Sequence, residues 1–170
     1  VAGLYWAYRA GNVNIVNAIG NGVSDDKAIY AYVPDMIRYY LNETPILNNV
    51  PTYHMENEDY REMVFGKMND MVIKRTNGSG GYGMLIGNSA TDEQINDFKK
   101  AITENPRDFI AQPIINLSSS PCFINNELSP RRVDLRPFAL YGPRGIDIVQ
   151  GGLTRVALKE GSLVVNSSQG

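Results

Sequence analysis

Residues 70–87 constrain this chain more than any other stretch, because a strand-like run, a lysine and a glycine cluster follow one another there. Met71-Val72-Ile73 favours a buried strand ending at Lys74, and Met84-Leu85-Ile86 reads as a second strand after the loop. Between them, Gly78-Ser79-Gly80-Gly81-Tyr82-Gly83 can take positive φ repeatedly. Such a loop can turn several backbone N–H groups towards one anion, with the lysine as a compact positive charge. The local sequence fits a phosphate cradle and, equally, a plain glycine-rich surface hairpin with an exposed lysine.

Known glycine motifs narrow the choice. Gly78, Gly80 and Gly83 satisfy G-x-G-x-x-G, but a dinucleotide fold needs a helix at the last glycine, and Met84-Leu85-Ile86-Gly87 is too short and apolar for one. A P-loop needs Lys-Ser or Lys-Thr after its final glycine, where Met84-Leu85 stands. A protein-kinase loop precedes its lysine, whereas Lys74 comes before this one. The arrangement left is strand, lysine, glycine hairpin, strand.

The remaining pattern is α+β without repeats. Helices are expected over residues 4–10, from an N-cap at Ser24 until Pro34 interrupts, over 35–41, 57–69 and, from a Thr91/Gln94 capping box, 92–103. Strands are expected over 13–19, 109–115, 122–124, 132–141, 146–150, 153–158 and 163–165, with Pro- and Asn-rich loop at 45–51. The aromatics near the N-terminus (Tyr5, Trp6, Tyr8), the Tyr39-Tyr40 pair and Met55, Met63, Met68 and Met71 are expected in the core. Three stretches follow: a lead-in (1–22), a part carrying the hairpin (23–112) and a β-rich part (113–170).

Composition bounds function. A chain of 170 residues, 43% hydrophobic and 20% charged, can bury a sizeable core. A net charge of -2 supplies no global basic field for nucleic acid or an anionic membrane, so phosphate binding must be local. No apolar run reaches the ~20 residues that cross a bilayer. A single cysteine, Cys122, and an N-terminus without the pattern of a signal peptide lead to an expected cytoplasmic location. The start at Val1 and the polar end Ser167-Ser168-Gln169-Gly170 lead us to expect a piece of something longer.

Few other residues carry chemistry. Arg136, alternating with Leu135, and Arg155 lie in expected strands from which both can project into one cleft; each also fits a solvated or ion-paired strand residue, with Asp134 as a partner for Arg136. His54 has no second histidine or acidic residue at metal-ligand spacing, and Cys122 no nearby base, so both read as structural.

Several strings in order resemble the C-terminal part of the circularly permuted ATP-grasp proteins, relatives of glutathionylspermidine synthase formerly labelled a domain of unknown function. They are Asp25-Asp26-Lys27-Ala28, residues 32–40, the hairpin 78–87, Ile110-Ala111-Gln112-Pro113, residues 133–138, residues 151–157 and residues 166–170. The resemblance implies an ATP-grasp-like fold of antiparallel sheets with flanking helices, partial and permuted. It implies that Lys27 and Lys74 contact ATP phosphates or the adenine edge, and that Gly78, Ser79, Gly80, Gly81, Tyr82 and Gly83 fold over the phosphates. Ile110, Ala111 and Gln112 would line the adenine pocket, and Arg136 and Arg155 would hold the transferred phosphoryl group or acyl phosphate.

The implied reaction joins a small-molecule or peptide carboxylate to an amine at the expense of ATP, with Mg held by ligands outside this chain. Two departures stand out: Arg75 follows Lys74 where the family commonly has proline, and the family's Glu-x-Asn-like metal-ligating segment, which lies upstream of this region, is absent. This piece alone is therefore expected to be inactive. A nucleotide- or protein-binding module without catalysis, and a purely structural α+β domain, are the other readings.

Overall fold

The computed structural model describes residues 2–16, 19–78 and 83–165. They fall into two units, one from Val1–Asn77 and Met84–Pro113, the other from Gly78–Gly83 and Ile114–Gly170.

In the first unit, α1 (Leu4–Arg9) and α2 (Val33–Met36) precede β1 (Tyr53–His54), α3 (Glu58–Phe65), β2 (Met71–Arg75), β3 (Met84–Ile86), α4 (Asp92–Glu104) and β4 (Phe109–Pro113). The strands form one antiparallel sheet in the order β1-β4-β2-β3. Alternation along β2 sends Met71 and Ile73 into a core with Met55, Val64, Met68, Leu85, Ile102, Phe109 and Ala111. The expected methionine core is present: Met55, Met68 and Met71 are buried and Met63 packs against them. Arg75 continues the strand opposite Phe109 and lays its guanidinium 4.9 Å from that ring.

Local chemistry starts the two helices that cover this core. The Asn57 side chain accepts from Tyr60 N at 3.0 Å, with Glu58 and Asp59 at the positive end of α3. At α4, Thr91 Oγ1 accepts from Gln94 N while Gln94 Oε1 accepts from Thr91 N, the capping box read from the sequence. Ile95, Phe98 and Ile102 then repeat at helical spacing towards the sheet. Thr91→Ala is expected to lower stability by about 1 kcal/mol, measured by urea unfolding.

Residues ahead of β1 depart from the expected pattern. Residues 13–16 form no strand and Val16 is 99% exposed, while Asn17 and Ala18 lie outside the described residues. β-branched residues make a strand only where a neighbouring edge takes their backbone hydrogen bonds. Ser24 does not cap a helix: its hydroxyl donates to Asn21 O at 2.7 Å inside a 3₁₀ turn, and Asp26 Oδ1 instead accepts from Ala28 N at 2.8 Å. Pro34 does not interrupt a helix but sits in the first turn of α2, where a missing N–H is harmless. α2 passes into a π-helical turn over Ile37–Leu41 that ends at Asn42, φ 53°.

The expected aromatic core near the N-terminus is also absent. Trp6 is 65% exposed, Tyr39 81% and Tyr40 76%. These rings pair edge to face with sequence neighbours, Tyr5 with Trp6 at 5.3 Å and Tyr39 with Tyr40 at 4.9 Å. A short helix buries its aromatics only where another element lies on them, and α1 has no buried residue.

The second unit is a three-stranded antiparallel sheet in the order β5-β6-β7, formed by β5 (Ser119–Ile124), β6 (Glu127–Gly142) and β7 (Gly145–Val156). Asn125 and Asn126, φ 51° and 69°, make the two-residue turn between β5 and β6. The two strands expected over 146–150 and 153–158 are one. β7 runs through Gly151-Gly152, and the pairing shifts register between Pro137 and Ala139. Glycine is required there: Gly151 has φ 96°, and a Cβ on Gly152 would lie 2.8 Å from Arg136 O. Residues 163–165 form no strand, since no neighbouring strand pairs with them among the described residues.

Candidate functional site

The sheet of the first unit has a second face. If Met71, Ile73, Phe109 and Ala111 point into the core, the alternate residues Val72, Lys74, Ile110 and Gln112 lie on the opposite side. Lys74 and Gln112 are diagonal neighbours there, because Val72 pairs with Gln112 and Lys74 with Ile110. Lys74 Nζ donates to Gln112 Oε1 at 2.7 Å. Gln112 Nε2 donates to Thr52 Oγ1 at 2.8 Å, and the Thr52 hydroxyl donates to Val50 O at 2.9 Å.

Lys27 reaches the turn just after β2 from the segment ahead of α2. Its backbone N–H donates to Thr76 O at 3.0 Å and its ammonium to the same oxygen at 3.5 Å. Burial, and next the charge of Lys27, hold the pKa of Lys74 below the ordinary lysine value. A lysine partly withdrawn from water with a second lysine acting on its charge is an arrangement that favours a nearby anion. A cavity of about 320 Å³ that Thr76 also borders is lined by Asp26, Glu56 and Asp108, of which Glu56 pairs with Arg107 and Asp108 with Arg75.

The residues singled out in the sequence thus separate. Lys27, Lys74, Ile110 and Gln112 come together in the first unit. Ala111 lies in the core and has no side chain to offer the other face. Gly78 and Gly83 are described, Gly83 exposed with φ 68°, whereas Ser79, Gly80, Gly81 and Tyr82 lie outside the described residues.

Arg136 and Arg155 belong to the second unit and share Asp134. Arg155 grips it with Nη2 at 2.6 Å and Nε at 3.2 Å; Arg136 Nη2 reaches it at 3.3 Å from a half-exposed position. The register explains this, since Asp134 pairs directly with Arg155 and stands two residues from Arg136 on the same face. Arg155 is thereby committed to a carboxylate, and Arg136 is the arginine better placed to take an incoming anion.

The Arg155 hydrogen bond holds the Asp134 carboxyl below its ordinary pKa, helped by the Arg155 charge and the weaker Arg136 bond, and against the effect of burial. A depressed carboxylate pKa contributes stability that is present above the unfolded-state value and lost as pH falls through the folded-state value. Protection of the β6 and β7 amides, taken relative to their intrinsic exchange rate at each pH, is therefore expected to fall in acid through that window, and Asp134→Asn to remove this dependence, read by hydrogen exchange at several pH values.

Thr52 was not singled out in the sequence. Nothing in residues 50–54 marks it except its alternation with His54, and its role appears only once β1 is placed against β4. His54, read as structural, lies 5.1 Å from the Tyr32 ring with its Nε2 buried. No group of three or more His, Cys, Asp or Glu residues that could hold a metal occurs among the described residues. No helix among them is long and apolar enough to cross a membrane.

The first unit is thus an antiparallel α+β scaffold whose sheet buries one face and carries Lys74 and Gln112 on the other. The chain belongs to the circularly permuted ATP-grasp type 2 family, whose model matches residues 1–157.

Among its relatives, an uncharacterized protein of Synechocystis sp. is 52% identical over all 170 residues, and one of Mycobacterium leprae is 51% identical over the same length. The chain spans 35% and 30% of those two proteins. A Frankia casuarinae protein named "Putative glutamate--cysteine ligase 2-2" is 44% identical over 164 residues, 96% of this chain and 19% of that protein.

Proposed function

We propose that this chain is the ATP-binding portion of an ATP-dependent ligase that joins a carboxylate to an amine. The observation that carries the reading is Lys74, held by Gln112 and acted on by the charge of Lys27, at the end of the strand that enters the glycine hairpin. Family membership and the ligase named in a relative support it.

In this reading residues 1–22 lead in, residues 23–112 form a lid-like part and residues 113–170 contribute a second, incomplete part. Lys27 and Lys74 hold ATP phosphates, residues 78–83 close over them, and Ile110 to Gln112 border the adenine, Ala111 through its backbone. The substrate carboxylate attacks the γ-phosphorus, ADP leaves, and the amine displaces phosphate from the acyl phosphate to form the amide. Arg136, with Arg155 behind it on Asp134, steadies the phosphoryl oxygens. Mg is expected from the family, but the described residues provide no donor cluster for it.

The test is calorimetry with ATP and ADP on a protein of the relatives' length, followed by phosphate release with a panel of carboxylates and amines. Binding plus amine-dependent phosphate release supports the ligase. Binding without turnover across the panel would make the chain a nucleotide-binding module, and no response at millimolar nucleotide would overturn the reading.

A further inference from the structure

Proton directions along the Lys74 face are fixed by one atom. A backbone carbonyl only accepts, so the Thr52 hydroxyl, 2.9 Å from Val50 O, donates to it. With its single proton so engaged, Thr52 Oγ1 meets Gln112 at 2.8 Å as an acceptor. Gln112 must then turn its NH₂ to Thr52 and its carbonyl to Lys74, whose ammonium only donates, at 2.7 Å. The opposite amide orientation would set NH₂ against an ammonium and a carbonyl against an oxygen without a free proton.

We propose that Thr52 is a positioning residue for Lys74: by holding the Gln112 amide in one orientation, it fixes the place of the ammonium. The chain of contacts links the segment just ahead of β1 with β4 and β2 through residues 60 and 38 positions apart in sequence, so it ties the side chain to the neighbouring strand and to the segment beside it. Its kinetic consequence rests on the reading of Lys74 as an ATP ligand. Its consequence for Lys74 itself does not.

Thr52→Val keeps the shape and removes the acceptor, so the half-buried amide turns away to find another and Lys74 loses its partner. The ammonium is then less favoured than in the native chain, where Lys27 is the charged group acting on it.

Competitive acetylation followed by peptide mass spectrometry, over about pH 7 to 11 with exposed Lys100 as internal reference, reads this without nucleotide. The midpoint for Lys74 is expected to move down in Thr52→Val and to stay in Thr52→Ser. An unchanged midpoint in a folded Thr52→Val protein would overturn the proposal.

The second arm uses a protein of the relatives' length. Thr52→Val is expected to lower kcat/KM for ATP about fivefold, with part of the loss in kcat, and Thr52→Ser to restore it. In a Gln112→Leu background the Thr52→Val change should add less than about twofold, because the two act through one contact. Full multiplication of the two effects would show that Thr52 acts independently of Gln112 and would sink the idea. If the wild-type protein does not bind ATP, the ligase reading fails and the acetylation arm alone decides the role of Thr52.

Discussion

In a protein of the relatives' length, and on the ligase reading proposed above, Lys74→Ala is expected to lower ATP-dependent turnover about a hundredfold, the usual scale for removing one preorganised group that meets transition-state charge. Lys74 has that standing because its ammonium is already placed, 2.7 Å from Gln112, and partly withdrawn from water before substrate arrives. A charge in a low-dielectric place interacts more strongly with phosphate than the same charge in bulk solvent. Lys74→Met, which keeps the apolar stem, should lose the same activity with less change in packing. Comparing the two by kcat/KM and by thermal melting separates charge from volume.

The depressed Lys74 pKa adds a sign that can be checked. Between the folded-state value and the ordinary ~10.4, the unfolded chain binds the proton that the folded chain has released, so stability rises with pH in that window. Nucleotide affinity should move the other way, falling as Lys74 loses its charge. Lys74→Met is expected to remove both slopes, measured by denaturant unfolding and by ATP titration at several pH values.

Gly87→Ala is expected to be the most damaging single change to the fold. Gly87 follows β3 and is buried against the 3₁₀ turn Met68–Asp70, and a Cβ placed on it would lie 1.8 Å from Met68 O. No rotamer change relieves a clash with backbone, so the turn or the strand must move. A cost of about 3 kcal/mol follows from the usual range for overpacking. In a unit of this size that is a drop in Tm of about 15 °C. A Gly87→Ala protein melting within about 3 °C of wild type would show that the turn yields easily. Because β3 pairs with β2, the same shift is expected to loosen Lys74 from Gln112 and weaken ATP binding as well.

Much of the first unit was legible because its signals are local. The Thr91/Gln94 capping box and the alternation of Met71 and Ile73 with Val72 and Lys74 act between residues a few positions apart. Failures came where a pattern needs a partner it does not specify. Residues 13–16 have strand-forming side chains but no ladder, and Trp6, Tyr39 and Tyr40 are aromatic but uncovered. Gly151-Gly152 reads locally as a break, whereas a register shift on the facing strand lets β7 run through it.

The candidate site divides along the same line. By itself the sequence determined that Lys74 lies in a strand, whose end the structure places one residue later at Arg75, that a glycine-rich stretch follows, and that the ordered strings resemble an ATP-grasp family; each depends on residue type and order. Only the tertiary structure decided that Gln112 and Thr52 stand beside Lys74, that Ala111 turns into the core, and that Arg155 is bound to Asp134. Those facts follow from strand order and register, which are settled by competition among all pairings of the chain and not by any one segment's own preference.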